Sequence, residues 1–186
     1  MASTLVLLLG TSAVGKSTLG ELAGKDPTVT YVNATAAKLE LVGPDEPLNL
    51  LDQRRTYEVN TEFFEALPLG NGAVLVDSHA TYPLGTGFVR LTPPHICSRV
   101  SGIVHLDADA ETIRRRRMER VRSLEATDLG TIARELVAER DEVERIVDVH
   151  EVPLCSLDSR QVPVEAAAAE VLKFLSTLAA RETETS

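Results

Sequence analysis

Apolar positions along this chain fall in two kinds of run, and the contrast predicts its elements. Thr4 to Leu9 is short, continuously apolar and closed by Gly10, the pattern of a strand buried on both faces. Ala73 to Asp77 (AVLVD) and Ser101 to Leu106 (SGIVHL) repeat it. Thr28 to Asn33 (TVTYVN) is β-branched and aromatic, and Val152 to Leu157 reads as a last strand. Between these runs the spacing turns helical over Lys16 to Leu22, Ala34 to Leu41 and Leu51 to Leu67, the last two stopped by Gly43-Pro44 and by Pro68. Asp109 is placed to cap a helix carrying Arg114 to Arg117, and Asp128 a longer one reaching about His150. Ile132, Leu136, Val143 and Ile146 recur at helical spacing in the second of these. Pro163 opens a final helix with Val164, Ala168, Val171, Leu175 and Leu178 on one face. Tyr82 to His95 is rich in Pro and Gly, with one short strand at Gly87 to Leu91. Alternating strands and helices predict one α/β domain over residues 1–180 with a parallel sheet, and a frayed tail over 181–186.

Charge and composition narrow the partners. A net charge of −9 disfavours a general nucleic-acid surface, since phosphate backbones are held by basic ones. Cys97 and Cys155 match no metal-ligand spacing and read as free thiols. No stretch approaches the roughly 18 apolar residues of a membrane span, and the chain reads as cytoplasmic. Monomer and homo-oligomer both stay open.

The candidate chemistry begins at Gly10-Thr11-Ser12-Ala13-Val14-Gly15-Lys16-Ser17, which matches G-x-x-x-x-G-K-[ST] between a buried strand and a helix. Backbone N–H groups of Gly10 to Thr18 can wrap a β-phosphate, aided by the positive helix N-terminus. Lys16 is then expected to bridge β- and γ-phosphates, and Ser17 to ligate Mg²⁺. Asp77, ending the strand AVLVD, is positioned like the Walker-B aspartate and is the second expected metal contact. The D-x-x-G and N-K-x-D patterns of GTPase switches are absent from the sequence.

Beyond the phosphate loop, the chain resembles the adenylate-kinase-like nucleotide kinases, closest to the archaeal-type adenylate kinases. Val32-Asn33-Ala34-Thr35 is similar to their strand-end N-T-S-A segment, and Val76-Asp77-Ser78-His79-Ala80 to their D-x-H-A. The cap Leu106 to Asp109 and the arginine-rich helix follow in the family's order. The chain departs from the family in having fewer Gly and Pro within its phosphate loop and no T-x-R-x-R-D run in the lid segment.

The resemblance implies a three-layer P-loop fold whose five parallel strands lie in the order 2-3-1-4-5. It also implies an acceptor-binding segment at about 34–69 and a lid at about 116–130. It assigns Arg116 and Arg120, which at i, i+4 are expected to share a helical face, to the donor and the transferring phosphate, with Arg117 and Arg122 behind them, and Ser159 to the donor base. Asn33, Arg54, Arg55, His79, Arg90 and Arg145 are the acceptor candidates, and Lys38 adds a further cation to the same segment. The implied reaction moves the γ-phosphate of Mg·ATP to a nucleoside monophosphate, AMP first among them. Two alternatives remain. One is a P-loop kinase for a hydroxyl group of a small metabolite or nucleoside, with Asp77 or Asp52 as base. The other is a nucleotide-dependent regulatory ATPase.

Overall fold

Five strands form one parallel sheet: β1 (Thr4–Leu9), β2 (Val29–Asn33), β3 (Ala73–Asp77), β6 (Gly102–Asp107) and β7 (Leu154–Asp158). The computed structural model describes residues 4–70, 72–120 and 125–184. The spatial order is β2-β3-β1-β6-β7, which is 2-3-1-4-5 when the sheet's own strands are counted. The two strands outside that count, β4 (Thr81–Leu84) and β5 (Gly87–Arg90), pair as an antiparallel hairpin. The composition of this stretch signals only its second strand.

Helices α1 (Lys16–Ala23), α2 (Ala34–Val42), α3 (Gln53–Glu65), α4 (Pro94–Cys97), α5 (Ala110–Glu119), α6 (Leu129–His150) and α7 (Val164–Glu184) cover the sheet. Helix α7 continues through Glu184, so the polar end of the chain is helical further than its composition suggests. Asn33, Asp52, Asp109 and Asp128 each accept a backbone N–H as N-caps of α2, α3, α5 and α6.

The period-2 geometry of β1 divides the core. Val6 and Leu8 face a cluster with Leu19 of α1, Ile113 of α5 and Val171 and Leu175 of α7. Leu5, Leu7 and Leu9 face Phe63 and Phe64 of α3, Ile96 of α4 and Val143 and Ile146 of α6. The sheet is therefore buried on both sides, which explains its unbroken apolar strands. All five strands run the same way, so the carboxyl ends of β1, β2 and β3 meet at one edge. Asn33 and Asp77 are register partners there, and so are Leu8 and Asp77.

Among the described residues no helix is long and apolar enough to cross a membrane. Cys97 and Cys155 are both free thiols.

Candidate active site

The turn from β1 into α1 demands unusual backbone. Gly10 has φ +151°, and a Cβ there would lie 2.3 Å from the carbonyl oxygen of Leu106, so no larger residue fits. Gly15, at the N-cap of α1, has φ +115°. Ala13 also adopts a left-handed conformation, at φ 70°, in a loop poor in glycine. Among the described residues no side chain caps α1, so its first-turn amides face the loop without a side-chain acceptor.

Lys16 is buried and its Nζ donates to the carbonyl oxygens of Gly10 (2.6 Å) and Thr11 (3.4 Å). Its Nζ also lies 3.9 Å from Asp77 Oδ1. Burial holds the ammonium below its usual pKa, while Asp77, Glu139 and Glu125 pull the other way. Ser17 Oγ donates to Asp77 Oδ2 at 2.8 Å, and Tyr31 Oη donates to the same oxygen at 3.0 Å. Burial and the charge of Asp77 push the Tyr31 phenol up to about 12. Tyr31 reaches Asp77 by crossing α1 at Gly20, where a Cβ would sit 2.1 Å from the ring.

The side chains fit a magnesium–nucleotide. Ser17 and Asp77 present two hard oxygen donors side by side, and Thr11 Oγ1 is buried in the loop without a hydrogen-bond partner. No group of three or more His, Cys, Asp or Glu converges on a metal position among the described residues. That suits an ion completed by substrate phosphates and water rather than by a protein cage.

The sequence pattern did not single out Glu139. It is buried in the middle of α6 and gathers four donors: Gly10 N (2.9 Å) and Ala80 N (2.7 Å) on Oε1, Thr81 N (2.9 Å) and Thr81 Oγ1 (3.2 Å) on Oε2. It thereby ties the first amide of the phosphate loop to the segment after β3. Burial raises its pKa against those hydrogen bonds. The only signal in the sequence is an acid among the inward positions of α6, which charge patterning alone does not separate from its exposed neighbours.

The arginines divide. Arg116 Nη1 donates to Val14 O (2.6 Å) and Ser159 Oγ (3.0 Å), and its Nη2 to Ser159 O (3.3 Å). With Arg120, Gly15, Thr18, Leu106, Val162 and Ala167 it lines a cavity of about 360 Å³ beside the loop. Arg120 does not share a helical face with Arg116: α5 ends at Glu119 and Arg120 is its extended C-cap. Arg120 Nη1 instead lies 3.4 Å from Ser12 Oγ and 3.6 Å from Glu125 Oε2. Ser12 Oγ also donates to Glu125. Arg117 is buried and pairs with Glu135 at 2.5 Å, so it joins α5 to α6. Arg122 lies outside the described residues, as does the part 121–124 of the lid segment expected at about 116–130.

On the acceptor side, several candidates are engaged elsewhere. Arg54 is 88% exposed and pairs with Glu58, and Arg55 pairs with Glu46 (3.0 Å) and Glu58 (3.7 Å) on the surface of α3. Asn33 Oδ1 caps α2. Arg90 (2.9 Å) and Arg145 (2.7 Å) share the buried carboxylate of Glu142. Asp52, one of the two candidate bases, caps α3 through Arg55 N. Burial and the charges of Lys16 and Lys38 hold the His79 imidazole well below its usual pKa.

The model of the AAA domain family matches residues 6–145. The chain belongs to that family. No curated protein matches the chain in sequence. Solved structures with the same fold include the following three. A shikimate kinase from Acinetobacter baumannii, solved with shikimate, has TM-score 0.62 at 15% identity, covering 94% of this chain and 93% of that one. A gluconokinase from Sinorhizobium meliloti 1021 has TM-score 0.61 at 17% identity, covering 99% and 97%. The YorR protein of Bacillus subtilis, in complex with phosphorylated GDP, has TM-score 0.59 at 17% identity, covering 96% and 98%. The AAA-domain chain thus has the P-loop kinase fold, with its phosphate loop at the carboxyl edge of the sheet.

Proposed function

We propose that the protein is an ATP-dependent phosphotransferase that passes the γ-phosphate of Mg·ATP to a nucleoside monophosphate, with AMP as the first candidate. The observation that carries this reading is the convergence of Lys16, Ser17 and Asp77, with Ser17 Oγ 2.8 Å from Asp77 Oδ2 and Lys16 Nζ 3.9 Å from Asp77 Oδ1.

The loop amides from Gly10 to Thr18 bind the donor phosphates, and Lys16 neutralises charge that spreads over them during transfer. Ser17 and Asp77 would hold Mg²⁺, which would supply positive charge to screen the phosphates. The cavity walled by Arg116, Ser159, Val162 and Ala167 takes the donor base, and Arg120 stands at the phosphate side near Ser12. Glu139 keeps Gly10 at the start of this cradle and so acts through positioning.

A phosphate acceptor supports the same reading. It is already an anion and needs no general base, whereas a hydroxyl acceptor does. Of the two carboxylates considered for that task, Asp52 caps α3 and Asp77 is assigned to Mg²⁺ in this reading. Transfer to a hydroxyl of a small metabolite is the second reading, favoured by the fold shared with a shikimate kinase and a gluconokinase.

An ATP-consumption assay across the nucleoside monophosphates, with shikimate and gluconate as hydroxyl acceptors, tests the proposal. Turnover with a monophosphate supports it. Turnover confined to the hydroxyl acceptors replaces it with the second reading.

A further inference from the structure

Two hydroxyls donate to one oxygen of Asp77. Ser17 Oγ lies 2.8 Å and Tyr31 Oη 3.0 Å from Oδ2, while Oδ1 stands 3.9 Å from Lys16 Nζ, beyond hydrogen-bond range. The part of Ser17 is written in the phosphate-loop motif. No motif marks Tyr31, which comes from another strand, 46 residues before Asp77.

The fold is shaped to bring the phenol there. Tyr31 lies on the same face of β2 as Val29, which packs in the cluster beneath α1 and α7. Register pairs Tyr31 with Leu75 and Asn33 with Asp77, so the phenol reaches one pleat further along the neighbouring strand. The ring does so by lying along α1. A Cβ on Gly20 would fall 2.1 Å from Tyr31 Cε2, and one on Gly24 would fall 2.8 Å from Tyr31 Cβ. The two glycines are one helical turn apart and leave a track that alanine would close. Glycine weakens a helix interior, and Gly20 sits inside a helix of only eight residues. The helix surface is cut away to admit the ring, and the ring ends in a hydrogen bond to Asp77.

We infer that Tyr31 is a positioning residue for Asp77: its hydroxyl fixes the direction in which the carboxylate presents its oxygens to the metal of the donor nucleotide. This rests on the phosphotransfer reading, in which Ser17 and Asp77 would hold Mg²⁺. In that reading the Ser17 hydroxyl serves the metal as well as the aspartate, whereas Tyr31 stands behind the carboxylate and takes no part in coordination. Without the phenol the carboxylate has a nearby ammonium to turn to, that of Lys16, and a turn that way takes an oxygen from the metal.

The test uses Tyr31→Phe, which keeps the ring on Gly20 and Gly24 and removes only the hydroxyl. The probe is a fluorescent, non-hydrolysable β,γ-imido analogue of ATP, titrated onto the protein in EDTA and again in Mg²⁺. The ratio of the two affinities measures what the metal adds, with no turnover required. In Tyr31→Phe that ratio is expected to fall about tenfold or more, with the affinity in EDTA unchanged. Asp77→Asn supplies the second arm. Because Tyr31 acts through Asp77, adding Tyr31→Phe to Asp77→Asn changes the ratio no further. With AMP as acceptor, the Mg²⁺ concentration that half-saturates ATP consumption rises in Tyr31→Phe while the KM for AMP holds.

An unchanged ratio in Tyr31→Phe overturns the inference. An equal loss of affinity in EDTA and in Mg²⁺ marks a packing role and also overturns it, as does a further loss in the double variant beyond Asp77→Asn. If the wild type binds the analogue no better in Mg²⁺ than in EDTA, the metal assignment of Ser17 and Asp77 fails and this inference with it. If the ratio falls as expected and no monophosphate is turned over, the acceptor reading fails while the role of Tyr31 stands.

Discussion

Glu139 Oε1 accepts the backbone N–H of Gly10 at 2.9 Å, joining the middle of α6 to the first residue of the phosphate loop. The same carboxylate holds Ala80 and Thr81, so the loop and the segment after β3 share one acceptor. Glu139→Gln replaces an acceptor oxygen by an NH₂ group facing buried N–H donors. It is expected to cost about 1–3 kcal/mol in urea unfolding and to lower kcat. Wild-type stability in this variant would show that the bonds to Glu139 carry no net energy.

Lys16→Ala is expected to abolish phosphoryl transfer with the fold preserved by circular dichroism, because the lysine acts on charge that develops during transfer. Asp77→Asn is expected to shift the Mg²⁺ titration of activity steeply upward. An unchanged titration removes Asp77 from the metal shell.

The pKa of Lys38 near 8 gives a pH signature. Between that value and the unfolded value of 10.5, the unfolded chain holds a proton that the folded chain has released. Stability therefore rises with pH through this window, by an amount on the order of 3 kcal/mol. Below pH 8 both states are charged and the burial cost is fully present. Lys16 is shifted in the same direction, so the test is the difference between wild type and Lys38→Met. Urea unfolding at neutral pH and at about pH 9.5 should show a smaller rise in the variant. Equal rises would contradict the shift.

Ala13, at φ 70°, carries a Cβ in left-handed backbone, which costs about 1–2 kcal/mol for an L-residue. Part of that is returned to the unfolded chain when glycine is introduced. Ala13→Gly is expected to keep or raise the melting temperature, and a clear fall would show that the loop holds Ala13 without strain.

Arg55→Ala is expected to change acceptor KM little, because Glu46 and Glu58 already neutralise this guanidinium. A rise of about tenfold in steady-state KM for a monophosphate would return Arg55 to the acceptor site.

What the sequence determined by itself is local. The five strands of the sheet, the phosphate-loop motif, Asp77 at its strand end and the N-caps at Asp109 and Asp128 were all legible in it. Periodicity, capping chemistry and a nine-residue loop are written in neighbouring residues, and a parallel sheet needs long apolar runs wherever it occurs. Tertiary structure alone decided which charges far apart in the chain meet. Glu139 reaches Gly10 across 129 residues, and Arg117 turns inward to Glu135 because α5 packs on α6. Arg120 leaves the face of Arg116 because α5 ends one residue earlier than the i, i+4 spacing requires. Arg54, Arg55 and Lys38 look alike as cations in one segment, yet two are paired on the surface and the third is buried over Phe63. The Arg54–Glu58 pair is local, at i, i+4, but the partner of a more distant ion depends on which elements the fold brings together, and spacing along the chain carries no record of that.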